Sequence, residues 1–327
     1  MRAVVCHAYG PPEGLAVQEV SAPRPGPGEA IVAVRAAAVN FPDVLIAADR
    51  YQVTVPLPFV PGSELAGTIL ETGSDAAEWR PGERVFATLP TGAFAERAVV
   101  PLASLTRIPG DMPYAQAAAA GVAYRTAYHA LRSVARVRPG QWVMVLGAAG
   151  GVGSAAVDLA RRLGARVVAA ASGPEKLALC RARGAEHALD YTLPDLKSRL
   201  KECTGGGADI VLDPVGGPYA EQALRGMRRG GTFVTLGYAS GEIPAIPLNL
   251  VLLKGVTVRG LEVRTFAHDA PEQSSRDMAE LLGLLGQGQI APHIGARFPL
   301  ERTAEALRLV ADRSALGKVV IDVSEDD

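Results

Sequence analysis

The feature that most constrains this chain is the run Gly147-Ala148-Ala149-Gly150-Gly151-Val152-Gly153. It directly follows an apolar stretch at 142–146 and opens a helical pattern over 152–163 that stops at Gly164. Small residues at such a junction let the backbone turn tightly and approach a pyrophosphate, whose charge then rests on the helix N-terminus. The spacing is Gly147-x-x-Gly150-x-x-Gly153 rather than GxGxxG. An ordinary tight turn is the plain alternative. A strand before, a helix after and a βαβ unit of about 30 residues favour a dinucleotide site made by Gly147, Ala148, Gly150, Gly151, Val152 and Gly153.

The surrounding pattern agrees. Apolar runs at 142–146, 167–171, 187–190, 210–213, 232–236 and 256–259 lack in-out alternation, the mark of strands buried on both faces of a parallel sheet. Helical stretches at 152–163, 175–183 and 219–229 fit between them. Six strands with helical crossovers describe an α/β, doubly wound nucleotide-binding domain. Before it, residues 1–120 are rich in Pro and in short strands (31–34, 65–70, 84–87) separated by Gly-containing turns, which reads as an irregular β domain, expected to be a small β-barrel. A helix is expected over 114–131 with Gly121 as an interruption. Helices at 272–285 and 303–310 and a strand at 318–323 form a tail too short for a third domain, so it is expected to complete the first.

Composition excludes several classes. Of 327 residues, 48% are hydrophobic and 20% charged, and the formal net charge is -1, so neither disorder nor a field that steers nucleic acid is indicated. No apolar run approaches the length of a membrane span. Residues 1–7 are too short and soon too polar for a signal peptide. Three cysteines without a CxxC exclude a disulfide framework, and a cytoplasmic, reducing home is expected. The five histidines are not at metal spacing.

Cofactor choice follows from the second strand, which ends Ala170-Ala171-Ser172-Gly173. No Asp or Glu stands there to bind both ribose hydroxyls and repel a 2′-phosphate. Lys176 follows one turn later. Alone it is as readily a solvated helix residue; with the missing acid it favours NADPH over NADH.

The whole chain resembles the zinc-free quinone oxidoreductases of the medium-chain dehydrogenase/reductase superfamily, the zeta-crystallin-like group. The matching stretches are 38–43 (AVNFPD), 56–64 (PLPFVPGSE), 126–131 (TAYHAL), the 147–153 loop, 213–217 (DPVGG) and 317–320 (GKVV). The resemblance implies a GroES-like catalytic domain made from 1–123 and 265–327 around a Rossmann NADPH-binding domain at 124–264. In the zinc alcohol dehydrogenases of that superfamily, the catalytic ligands fall at places held here by Asn40, Ser63 and Val122, which are poor zinc ligands, so no metal is expected. Ser172, Lys176 and Tyr191 match the positions around the adenosine 2′-phosphate. Asn40 and Thr126 match residues beside the nicotinamide, and Tyr51 matches a tyrosine over the active-site cleft; these three are the catalytic candidates. Asn40 is otherwise a turn residue and Thr126 a helix residue bonded back to its own helix. Asp213, at the topological switch point, is either a cofactor contact or the cap of the next turn. Gly237 and Lys318 complete the cofactor set implied by the match. Arg125 stands where the family usually has Gly, and 263–270 lacks a Trp often seen there.

Three functions follow. An NADPH:quinone reductase needs mainly orientation of two rings, with Asn40 polarising the acceptor oxygen. An enone or enoyl reductase needs in addition an acid, for which Tyr51 is the candidate. A non-enzymatic NADPH-binding protein is the third. The expected partners are a small quinone or enone and, through the edge strand at 256–259, a second copy in a homodimer. No nucleic-acid or membrane partner is expected.

Overall fold

The computed structural model describes residues 1–76 and 78–324. Short alternating segments build the N-terminal part. β1 (Arg2–Val5) and β2 (Ala16–Glu19) form a two-stranded antiparallel ribbon. β3 (Glu29–Val39) leads through Asn40 into α1 (Phe41–Ala47). That helix starts where it does because Asn40 is extended, Pro42 lies in the first turn, and the Asp43 carboxylate accepts the Asn40 N–H at 2.7 Å. β4 (Glu64–Thr72), β5 (Arg84–Thr88), β6 (Arg97–Pro101), β7 (Leu105–Arg107) and α2 (Tyr114–Ala118) follow.

Strand and helix then alternate. α3 (Ala123–His129) runs into a π-helical turn, Ala130–Val134. Next come β8 (Trp142–Leu146), α4 (Gly151–Arg162), β9 (Arg166–Ala171), α5 (Pro174–Ala182), β10 (His187–Asp190) and α6 (Leu196–Thr204). β11 (Ala208–Asp213), α7 (Pro218–Gly226), β12 (Met227–Thr235), α8 (Leu248–Lys254), β13 (Thr257–Gly260), α9 (Val263–Asp269) and α10 (Pro271–Gly286) complete this part. The chain ends with β14 (Ile294–Pro299), α11 (Thr303–Ala311) and β15 (Lys318–Asp322).

The chain divides into two units, Met1–Val122 joined by the chain from Ala291 onward, and Ala123–Ile290. In the first, the order β14-β15-β3-β4-β5-β7 forms one sheet with β6 also on β3. Its core includes Val32, Val34, Leu65, Ile69 and Phe94 together with Leu307, Val319 and Ile321 from the returning chain. In the second, β10-β9-β8-β11-β12-β13 is a wholly parallel sheet whose order reverses between β8 and β11. All five residues of β8 are buried, as its unbroken apolar run requires.

Three expectations need correction. The helix expected over 114–131 is two helices, because Gly121 and Val122 pack against Glu64: a Cβ on Gly121 would lie 3.0 Å from Glu64 Oε1, which itself accepts the Val122 N–H at 2.7 Å. The helix expected to reach 229 stops at Gly226, where a side chain would strike Leu200, and β12 begins at once. The return to the first unit falls at 291 rather than 265. α10 is held to α3 and the π-helical turn by polar bonds: His129 Nδ1 lies 2.7 Å from Asp277 in the interior, Ser133 of the turn donates to the same carboxylate, and Tyr128 donates to Glu280 at 2.6 Å.

Burial pushes the His129 pKa down, partly opposed by its bond to Asp277 and aided by the charge on Arg125. A histidine whose folded pKa is depressed contributes stability that is present above its unfolded value near 6.5 and lost as pH falls through the folded value. His129→Gln keeps a donor for Asp277 but does not titrate. Its melting temperature, lower at pH 7.5, is expected to fall less than the wild type's between pH 7.5 and 5, as calorimetry at the two pH values will show.

Candidate nucleotide and acceptor sites

In the second unit the Gly-rich loop joins β8 to α4. Gly147 takes a left-handed φ of 57°, and Gly150 is an N-cap with no side chain to close the helix. The first helical bond runs from Ser154 N–H to Gly150 O at 2.8 Å. The N–H groups of Gly151, Val152 and Gly153 therefore have no carbonyl of their own helix to bond and point out of its positive end. Gly153 is indispensable to this shape, since a Cβ there would lie 2.1 Å from Gly147 O. The loop is a cradle for an anionic diphosphate.

The end of β9 brings a cation beside a hydroxyl. Lys176 Nζ donates to Ser172 Oγ at 3.2 Å, so one helical turn brings the two expected residues together. β10 runs beside β9, with Asp190 opposite Ala171, which brings Tyr191 alongside, its ring 4.3 Å from that of Tyr219. This neighbouring strand also brings an acid that inspection of β9 alone missed. Asp190 is committed to the loop: Oδ2 accepts the Gly173 N–H, and Oδ1 accepts the Thr192 N–H and hydroxyl. Burial opposes the Asp190 charge, but these donors and nearby Arg199 hold its pKa below the ordinary value.

In the first unit, strand register converges on Asn40. Val319 pairs with Val39 across β15 and β3, which sets Lys318 beside Asn40, and β4 begins at Glu64 on the other side of β3. Lys318 Nζ donates to Asn40 Oδ1 at 2.6 Å, Glu64 Oε2 at 3.0 Å and Val39 O at 3.2 Å. Asn40 Nδ2 in turn donates to Glu64 Oε2 at 3.0 Å, with Ser63 Oγ and Ala38 O at 3.4 Å. The ion pair is buried, the Lys318 and Glu64 side chains being 4% and 0% exposed. Asp43 lies in the same network. Burial lifts its pKa to about 6, against the pull of Ser63, the Asn40 N–H and the Lys318 charge, with Glu64 pushing it further up.

Two of the expected cofactor residues have bonds of their own. Lys318 directs its three protons to Asn40, Glu64 and Val39 inside the first unit. The buried Oδ1 of Asp213 accepts the N–H groups of Val215 and Gly216, each at 2.8 Å, while its Oδ2 is buried without a hydrogen-bond partner. Burial raises its pKa against those two donors. Glu64 and Asp43 were overlooked as participants; Glu64 lies inside the quoted 56–64 stretch, and its apolar surroundings in β4 were the available signal. Thr126 is buried on α3. Tyr51 packs against a small cluster of Cys6, Ile46 and Phe59. Gly237 follows β12, with open space at its Cβ position apart from Pro214 O at 3.7 Å.

Comparison with known proteins follows this division. Residues 26–110 match the alcohol dehydrogenase GroES-like domain, and residues 151–282 match the zinc-binding dehydrogenase family. The chain is 38% identical to quinone oxidoreductase-like protein 2 of Mus musculus, over 98% of this chain and 92% of that one. It is 34% identical to a quinone oxidoreductase of Pseudomonas aeruginosa, over 96% and 97% of the two chains. Among solved structures, Escherichia coli quinone oxidoreductase complexed with NADPH superposes with a TM-score of 0.92 at 27% identity, covering 99% of this chain and 100% of that one.

The ion pair under Asn40 is directly testable. Lys318→Met leaves the Glu64 carboxylate buried without its cation and is expected to destabilise the protein by about 3–5 kcal/mol. Adding Glu64→Gln, which removes the stranded charge, is expected to restore at least half of that loss. Urea denaturation of the two variants measures the difference; a single-variant cost below about 1 kcal/mol contradicts a structural ion pair.

Proposed function

The chain belongs to the quinone oxidoreductase family of the medium-chain dehydrogenase/reductase superfamily, and on that footing we propose that it reduces a quinone with NADPH, without zinc. The observation that carries the cofactor half is the uncapped N-terminus of α4 in the same unit as the Ser172–Lys176 pair. NADPH, when bound, supplies a hydride from its nicotinamide ring. The N–H groups of Gly151, Val152 and Gly153 hold the pyrophosphate, with Gly147, Ala148 and Gly150 shaping the turn. Ser172 and Lys176 take the 2′-phosphate, and Tyr191 lies alongside. Thr126 has its hydroxyl available to the nicotinamide end, and Gly237 lets backbone approach it closely.

Asn40 acts on the acceptor. Its Oδ1 is tied to Lys318 and one N–H to Glu64, which fixes the amide; the other N–H, loosely held at 3.4 Å, is the one offered to a developing quinol oxygen. Tyr51, packed on an apolar cluster, serves as wall. Zinc independence is supported by charge. The Lys318 ammonium, 2.6 Å from Asn40 Oδ1, disfavours a dication at the place where Asn40 and Ser63 stand. A soluble, cytoplasmic setting fits three free cysteines and the absence, among the described residues, of a helix long and apolar enough to cross a membrane.

A homodimer is the proposed assembly. β13 is an edge strand exposed at all four residues. Near it in sequence, α8 exposes Leu248 and Leu252, each 80% accessible, and Leu253. An unpaired edge with exposed leucines is a surface that native proteins cover.

Two experiments decide these points. With a naphthoquinone acceptor and a chelator present, the purified protein is expected to oxidise NADPH at the rate seen without chelator. In the same assay Lys176→Ala should weaken NADPH by about 10- to 100-fold while NADH changes little, since one charge-assisted contact is lost; equal losses for both cofactors sink the 2′-phosphate assignment. For the assembly, light scattering at micromolar concentration should give twice the chain mass, falling to one chain in a Leu252→Glu, Val258→Glu variant.

A further inference from the structure

Two carboxylates share one ammonium in the interior of the first unit. Glu64 and Asp43 are 0% and 1% exposed, and Lys318 is the cation beside them. Their partners are unequal. Glu64 Oε2 takes Lys318 Nζ and Asn40 Nδ2, and its Oε1 takes the Val122 N–H. Asp43 Oδ2 accepts the Asn40 N–H, and the Ser63 hydroxyl also donates to the Asp43 carboxylate. Asp43 Oδ1 is wholly covered and has no hydrogen-bond partner among the described residues. A proton on Asp43 relieves the surplus negative charge of the cluster.

The charges that act on Asp43 are Lys318 on β15 and Glu64 on β4. α11 also packs against α1, but its charged side chains are engaged elsewhere, Glu305 with Arg302 and Arg308 with Glu13. Burial, against the pull of Ser63, lifts the Asp43 pKa to about 6, so this carboxyl gains and loses a proton near neutral pH. Fully covered, Asp43 cannot itself meet a substrate. Ser63 is only half-buried, bonded to Asp43 on one side and 3.4 Å from Asn40 Nδ2 on the other. That Asn40 N–H is the one offered to the acceptor oxygen, so a single oxygen is within reach of both groups.

We propose that Ser63 and Asp43 form the proton relay of the reaction: Ser63 touches the acceptor, and Asp43 is the buried acid that resupplies it. This rests on the reading that Asn40 binds the acceptor oxygen. Hydride from NADPH leaves the quinone reduced by two electrons, with a negative oxygen. The Ser63 hydroxyl gives its proton to that oxygen and takes the Asp43 carboxyl proton, which restores the hydroxyl and leaves Asp43 ionised. Once the product has left, a proton from solvent returns through Ser63 to Asp43. The sum is one hydride and one proton per quinone, which completes the hydroquinone.

The test is the pH profile of kcat with saturating NADPH and 2-methyl-1,4-naphthoquinone. In the wild type kcat should be level at acid pH and fall as pH rises through about 6, because the acid must be protonated to act. Asp43→Asn keeps an acceptor for the Asn40 N–H, and Ser63→Ala removes only the hydroxyl. Each should lose about 100-fold in kcat at pH 5.5, give a flat profile and leave the NADPH dissociation constant unchanged. Ser63→Thr, which restores a hydroxyl, should restore the sloping profile. A flat wild-type profile overturns the proposal, as do losses of equal size at every pH, which mark a purely structural role. Should the wild type not reduce the quinone, the function above fails, and infrared difference spectra between pH 5 and 7.5 read the relay without turnover. A protonated-carboxyl band that is absent from Asp43→Asn and displaced in Ser63→Ala supports the Asp43–Ser63 link. A wild type without that band, or a band indifferent to Ser63→Ala, refutes it.

Discussion

A buried ammonium ties the strand ends of the first unit together. Lys318 sits where the ends of β3, β4 and β15 converge, and it bonds Asn40, which caps α1 just past β3, and Glu64, which opens β4. A lone charge there would be very costly, so each partner is retained for the sake of the other. The ion pair also depends on the chain returning from Ala291 onward, because β15 must pair with β3 before Lys318 meets Asn40. The orientation of the Asn40 amide, which decides whether it offers a donor or an acceptor, is set by this pair rather than by the turn in which Asn40 lies.

The second unit solves the opposite electrostatic problem. It has to attract an anion without burying a counter-charge in its core. Three open backbone N–H groups stand at the start of α4, and a cation, Lys176, is paired with Ser172 at the end of β9. The parallel sheet makes the arrangement possible: its strands all end on the same edge, so the loops after β8, β9 and β10 lie side by side. Asp190 shows how tightly that edge is used. Its charge is absorbed by loop donors and so is not presented bare to a phosphate.

What could be read along the chain was what local chemistry dictates. The strands at 142–146 and 187–190 have the bounds that their apolar runs mark, and α11 starts at Thr303 as its periodicity requires. The Gly-rich loop was legible because two of its glycines answer local needs: Gly147 takes a left-handed φ of 57°, and a Cβ on Gly153 would lie 2.1 Å from Gly147 O. α10 was assigned to the wrong unit, because a helix pattern does not reveal which surface it covers; its allegiance comes from Asp277 meeting His129, 148 positions away. Asp213 was legible as a turn cap or a ligand, and the structure shows the cap: Oδ1 accepts the Val215 and Gly216 N–H groups, with Oδ2 buried and without a partner.

The sequence by itself determined the class of fold, the dinucleotide loop and the absence of an acid at the end of β9, since each depends on neighbours in the chain. Only the tertiary structure decided what Lys318 and Glu64 do. A charged residue in an apolar run announces that it must be satisfied, but not by whom. For Lys318 the answer lies in carboxylate and amide groups 254 and 278 residues away, brought in by strand pairing. The Arg125 Nε, buried on α3, has no hydrogen-bond partner among the described residues.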